Sequence, residues 1–142
     1  MHPEVIAWIG RTVNETWWAV VGVLIFWAVA AKGFHAYLLY PWLDMPTHFA
    51  GGWAIAFAGR RGVVNATPAI GSTPLLVQSA VAIGVAAVGA IAWELLEYLS
   101  DFYLKGHLVL GEVDTLSDLF FGLLGATVYA TYVYVSERRP RL

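Results

Sequence analysis

The stretch PLLVQSAVAIGVAAVGAIAWELLEYL, residues 74–99, decides how this chain is read. From Pro74 to Trp93 it carries no ionisable side chain. That is enough to cross a bilayer as one helix, which takes about 20 mostly apolar residues. The stretch then closes on two carboxylates, Glu94 and Glu97, whose spacing sets both on one helical face. Carboxylates at the edge of hydrocarbon are costly, and by default they mark a functional position.

The same design recurs on either side. Asp44 and His48 stand at the head of a shorter apolar run, and Asp114 and Asp118 at the head of a longer one, both at i,i+4. A further apolar run lies near the N-terminus. Its early part, with Arg11, Asn14 and Glu15, suits the interface, and Trp17 to Ala31 suits the hydrocarbon. The expectation is an all-α, single-domain chain over residues 1–142: an integral membrane bundle of four transmembrane helices spanning about 5–31, 45–59, 74–99 and 114–135. The second span is short and must lean on its neighbours or thin the bilayer. Pro46 and Pro74 suit first turns, and Asp44 and Asp114 suit N-caps.

Composition agrees with this. Hydrophobic residues make up 59% and charged residues 13%, where a soluble domain carries about a quarter charged. No polar stretch is long enough for a large soluble appendage. A net charge of −2 argues against a nucleic-acid partner. The absence of cysteine excludes disulfides, thiolate metal sites and cysteine nucleophiles. Met1-His2-Pro3-Glu4 lacks a basic leader, so the first apolar run reads as a retained helix.

Charge orients the bundle. With four spans, both termini share a side with the 60–73 loop, and that side holds Arg11, Arg60, Arg61, Arg138, Arg139 and Arg141. The other side holds Lys32 and Lys105. The positive-inside rule therefore makes both termini cytoplasmic, and a prokaryotic cytoplasmic membrane is the expected location. The opposite face carries Asp44, Glu94, Glu97, Asp101, Glu112, Asp114 and Asp118, and would concentrate cations.

This topology brings the three pairs to one membrane depth. Small residues follow each pair at four-residue spacing: Gly52 and Ala56 after His48, Ala90, Ala86 and Ala82 before Glu94, and Gly122, Ala126 and Ala130 after Asp118. Such stripes permit close helix approach in membranes. Trp53, Phe57, Leu119, Phe120 and Tyr132 fall mainly on other faces, suited to lipid. The six side chains are expected to converge at the extracytoplasmic end.

Five carboxylates that meet need protons or a cation to compensate them. Helical bundles build dinuclear metal sites from carboxylates and histidines on facing helices. The expected ligands are Asp44, His48, Glu94, Glu97, Asp114 and Asp118, with Asp44 also a candidate general base or partner of His48. Their oxygen-rich chemistry suits a divalent metal, one ion or two, among Mg²⁺, Ca²⁺, Mn²⁺, Fe²⁺ and Zn²⁺. A metal-dependent enzyme acting on a lipid or envelope substrate is the leading reading. A cation or proton transporter is one alternative. A structural subunit of a larger membrane complex is another, with membrane lipids, a homo-oligomer or other membrane subunits as partners.

Simpler roles compete residue by residue. Asp44 and Asp114 could be caps only, Glu94 and Glu97 interfacial carboxylates, and His48 a packing residue. His35, His107 and Glu112 suit solvated loops, and Trp17, Trp18, Trp42, Tyr37 and Tyr40 suit interfacial anchoring.

Three motifs in order resemble the YjdF-like and VanZ-like small polytopic membrane proteins. Leu43-Asp44-Met45-Pro46-Thr47-His48-Phe49-Ala50-Gly51-Gly52 resembles their D-x-x-x-H-F-x-x-G element. Trp93-Glu94-Leu95-Leu96-Glu97-Tyr98 resembles the second acidic element, and Asp114 to Asp118 with Gly122, Gly125 and Ala126 resembles D-x-x-x-D. The resemblance covers about residues 42–130 and implies a membrane protein; the VanZ-like branch is linked to glycopeptide resistance at the cell envelope. Glu97, where an amide is common, and the short loop before Asp114 depart from those patterns.

Overall fold

The computed structural model describes residues 3–105, 109 and 111–138, and among them every regular element is helical. Helix α1 runs Pro3–Ala28 and passes through a wide π turn, Val29–Gly33. A short helix α2, Ala36–Leu39, and a tight turn, Pro41–Leu43, lead into α3, Asp44–Asn65. A single turn, α4, Thr67–Ile70, precedes α5, Leu75–Leu104, and α6, Glu112–Arg138. His2, His107, Arg139 and Arg141 lie outside the described residues.

Several element boundaries differ from the sequence expectation. The helix that carries the second apolar segment is longer than the segment itself: α3 continues through Arg60 and Arg61 to Asn65. Asp44 is not a cap. The tight turn before it feeds directly into α3, so Asp44 is already helical, and the cap position falls to Leu43. Likewise α6 begins at Glu112, which puts Asp114 inside its first turn. Pro74 is the residue before α5 rather than its first, with extended backbone that turns the chain into the helix.

Helix α3 is the hub. It packs on α6, α5 and α1, and α5 packs on α6. A helix with neighbours on three sides must be thin, and α3 buries Thr47, Gly52, Ala54, Ala56 and Gly62. The α3–α6 crossing is the closest approach. A Cβ on Gly52 would fall on the Gly122 carbonyl, and one on Gly125 would fall on the Phe49 carbonyl. Only glycine allows two backbones to meet this way.

The distribution of side chains is inverted relative to a soluble protein. The core is Ala56, Ala82, Ala86 and Ala126 with Tyr129 and Val133. Large apolar residues such as Trp18, Leu76, Val88, Leu96 and Phe120 face outward along the helices. Water would not tolerate so much contiguous apolar surface, whereas lipid is as apolar as leucine and leaves helices to associate through close packing. Phe120 and Tyr132 are exposed as expected for lipid contact, but Trp53 and Phe57 turn inward and pack on Tyr129, with ring centroids 5.6 and 6.1 Å away. Helices α5 and α6 are each long and apolar enough to cross a membrane.

The two ends of the molecule differ. At one end Arg60 reaches both carboxylate oxygens of Glu137 at 2.7 and 2.8 Å, and Arg61 pairs with Glu15 at 2.6 Å. The Trp8 indole donates to the Gly62 carbonyl at 2.7 Å. These contacts tie the start of α1 and the end of α6 to the end of α3. The acidic pairs lie at the other end.

The crossing predicts an asymmetric response to a single methyl group. Gly52→Ala and Gly125→Ala should each lower stability by at least about 2 kcal/mol through overpacking. Gly22→Ala, where a Cβ meets nothing within 4 Å, should leave it unchanged or slightly raised. Circular dichroism melts in detergent check both.

Candidate metal centre

Each acidic pair is delivered by its helix in the manner its spacing requires. Asp44 and His48 occupy successive turns at the start of α3, Glu94 and Glu97 face the same way from α5, and Asp118 comes from the second turn of α6. Because α3 and α6 touch at Gly52 and Gly122, one turn below His48 and Asp118, these two side chains are forced together. His48 Nε2 lies 3.4 Å from Asp44 Oδ1 and 3.6 Å from Asp118 Oδ1.

Two groups of donor atoms result. Asp44, His48 and Asp118 form one, and Glu94, Glu97 and Asp118 form the other; within each group the donor atoms lie within 4.8 Å of one another. Asp118 belongs to both and is only 2% exposed. The structure thus brings together five of the six residues expected from sequence. Asp114 stands one turn before Asp118, half-buried, outside both groups but close enough to act electrostatically on Glu94 and Asp118. Glu112 and His35 are exposed, as expected for loop-end residues.

Burial makes this group chemically demanding. Glu94 is 9% exposed, and its Oε1 is buried with no hydrogen-bond partner. An unpaired buried oxygen of this kind costs about 1–3 kcal/mol, more if charged. Among the described residues no lysine or arginine pairs with Asp44, Glu94, Glu97 or Asp118; Arg60 and Arg61 serve Glu137 and Glu15 at the far end. The distances of His48 to its two carboxylates exceed a good hydrogen bond. They are close to the separation of neighbouring ligands around one ion, about 3–3.5 Å for bonds of about 2.1–2.4 Å.

Three supporting residues were not evident from the sequence. Trp93 donates its indole N–H to Glu97 Oε1 at 2.8 Å, leaving the other oxygen free to turn inward. The i,i+4 spacing of Trp93 and Glu97 is the signal that could have found this bond. The buried Thr47 hydroxyl donates to the Leu43 carbonyl at 2.8 Å and meets the Tyr37 hydroxyl at 2.8 Å. Tyr37, expected to be an interfacial anchor, is instead half-buried above the start of α3. Burial pushes its phenol above the ordinary range; the Thr47 bond opposes this, and the nearby Asp44 and Glu97 carboxylates add to it. Nothing local in the sequence signals this contact, because α2 is carried there by the turns on either side. Trp17, Trp18, Tyr40 and Trp42 remain outward-facing.

Residues 3–139 match the family model DUF2238, described as a predicted membrane protein. The chain belongs to that family, and the YjdF-like and VanZ-like resemblance is compatible with it. No curated protein and no solved structure matches the chain.

The environment of Tyr37 has a spectroscopic consequence. In an ultraviolet titration of the full chain against Tyr37→Phe, the component missing from the variant should ionise above about pH 10, the ordinary value for tyrosine.

Proposed function

We propose that this member of the DUF2238 family is a four-span membrane protein with cytoplasmic termini, and that its extracytoplasmic end holds a divalent metal site serving a metal-dependent reaction on a lipid or envelope substrate. One observation carries the metal: Glu94 Oε1, buried and unpartnered, stands beside Glu97 and the almost wholly buried Asp118, with no lysine or arginine paired to them among the described residues. A cation supplies the missing partner.

Asp44, His48 and Asp118 offer a nitrogen and two oxygens, which suits Mn²⁺, Fe²⁺ or Zn²⁺. Glu94, Glu97 and Asp118 offer oxygen alone, which suits Mg²⁺, Ca²⁺ or Mn²⁺. Asp118, common to both, is the natural bridge if two ions bind. A bound metal would polarise a phosphoryl or carbonyl oxygen, or lower the pKa of a bound water. The Asp44 side chain is 28% exposed, against 11% for His48 and 3% for Asp118, which fits a group that accepts a proton from water or substrate. Trp93 holds Glu97 in orientation, as partners of metal ligands do. Asp114, one turn outward, reinforces the negative field without joining either group.

Arginine placement supports the orientation. Arg60 and Arg61 lie at the end opposite the acidic pairs, beside the start of α1 and the end of α6, as the positive-inside rule requires. Helix α3, the most polar of the four, and α1, whose charged residues fall in its first half, complete the bundle by packing. The enzyme reading is preferred over transport because the buried faces below the site, Ala86, Ala82 and Ser79 on α5 and Gly122, Gly125, Ala126 and Tyr129 on α6, carry no carboxylate, histidine, lysine or arginine to relay an ion.

Elemental mass spectrometry of the detergent-purified protein tests the centre. One or two equivalents of a divalent metal are expected, retained through gel filtration and lost in Glu94→Gln, Asp118→Asn protein that keeps its helical circular dichroism. Metal-free protein that takes up none of the five candidate ions on reconstitution would sink the reading.

A further inference from the structure

Beneath the acidic groups lies a cavity of about 100 Å³ that the proposed chemistry leaves unused. Its walls come from all four long helices: Val23 and Leu24 of α1, Gly51 and Ile55 of α3, Gly89 of α5 and Gly122 of α6 among others. They are almost entirely apolar. The polar side chains among them are Thr47 and His48, at one end. His48 is also a member of the donor group. The cavity and the acidic groups therefore meet at one imidazole.

The cavity arises from the packing pattern. Helix α1 rests on α3, and α5 rests on α3 and α6. Between α1 and α5 the described contact is an edge-on ring pair, Trp27 on Trp93, with centroids 5.1 Å apart. Trp93 precedes Glu94, so this pair forms a lintel at the level of the acidic site. Below it the two helices stand apart, and their small or partly exposed residues, Leu24, Ala86 and Gly89, face the gap. The seam between α1 and α5 is thus the loosely packed side of the cavity, and in a membrane it borders lipid hydrocarbon.

Polarity along this space runs in one direction, from the charged surface level at His48 to wholly apolar walls deeper in the bundle. Water gains too few partners in such a space to fill it. The head-proximal part of a membrane lipid matches its polarity, with the first few chain carbons among Val23, Leu24 and Ile55 and the polar head at His48 and the acidic groups. Apolar pockets with a few convergent polar groups are the usual form of a small-ligand site. The absence of a side chain at Gly51 keeps the space clear, while Gly89 lets Ile55 pack closely against α5. A Cβ at Gly51 meets nothing nearer than a Val23 methyl at 4.0 Å, so a longer side chain there would project into the cavity.

We propose that this cavity binds the first few carbons of one acyl chain of an outer-leaflet lipid, entering between α1 and α5 with the rest of the chain in the surrounding hydrocarbon and the lipid head group against His48. The proposal rests on the metal-centre reading for what happens at the head group, but the chain site stands on the cavity itself. It narrows the substrate class from envelope molecules in general to membrane lipids.

Photocross-linking tests it. The full-length protein is reconstituted in phosphatidylcholine vesicles containing phosphatidylglycerol with a diazirine in its acyl chain, and labelled residues are mapped by peptide mass spectrometry beside metal content. Labelling of the inward-facing residues Val23 and Ile55 is expected, together with the background label on outward residues such as Val88 and Phe120. Gly51→Leu should abolish the inward label, leave the outward label and keep the metal. Val23→Phe, which fills the space from α1, should do the same and covers the case in which Gly51→Leu does not fold. Inward labelling no different from protein blocked by either substitution, in a preparation that holds its metal, overturns the lipid site alone. Inward labelling that Gly51→Leu abolishes, in protein that binds no metal, supports the lipid site and overturns the metal reading instead.

Discussion

The contact on which the rest depends is the backbone-to-backbone crossing of α3 and α6. Gly52 sits against the Gly122 carbonyl, and Gly125 against that of Phe49. In a membrane, helices gain little from hiding apolar side chains from one another, so close packing carries the association. The crossing also sets the width of the acidic site. His48 and Asp118 each lie one turn beyond a glycine of this contact, so two side chains far apart in sequence are brought to 3.6 Å. A side chain at either glycine would push them apart as it pushed the helices apart.

The same economy explains why the core is alanine and glycine while the large side chains face outward. It also explains the one place where packing is incomplete. Helix α1 lies on α3 and reaches α5 through the Trp27–Trp93 edge contact. Three tightly packed helices therefore hold the acidic groups, and a looser fourth leaves an apolar space beside them. The arrangement places a demanding polar group next to an apolar cavity, with His48 shared by both.

At the opposite end the chain resolves its charges internally. Arg60 with Glu137 and Arg61 with Glu15 form ordinary ion pairs that tie helix ends together. The contrast is informative. Where arginines are present, the carboxylates are matched by them; among the described residues Asp44, Glu94, Glu97 and Asp118 have no such partner, and Glu94 is left with a buried oxygen close to other carboxylates.

Much of this was legible in the chain itself. Hydropathy alone marks 74–99 as a helix of the membrane-crossing kind, and a period of about four marks the faces of α3, α5 and α6 that carry both the small residues and the charged pairs. Such features depend on neighbours within a few residues, so one strand of text records them. What sequence could not decide depended on contacts between distant segments. Asp118, rather than Asp114, became the shared residue because the glycine crossing selects a particular turn of α6. Tyr37 reached Thr47 because turns folded α2 back over α3. Trp53 and Phe57 faced inward because Tyr129 offered them a partner, and α3 ran on to Asn65 because Glu15 and Glu137 paired its arginines from neighbouring helices. Periodicity specifies which face of a helix is sticky; only the packed structure specifies how far along that face the partner sits, since the register is set by side-chain volumes on two helices at once.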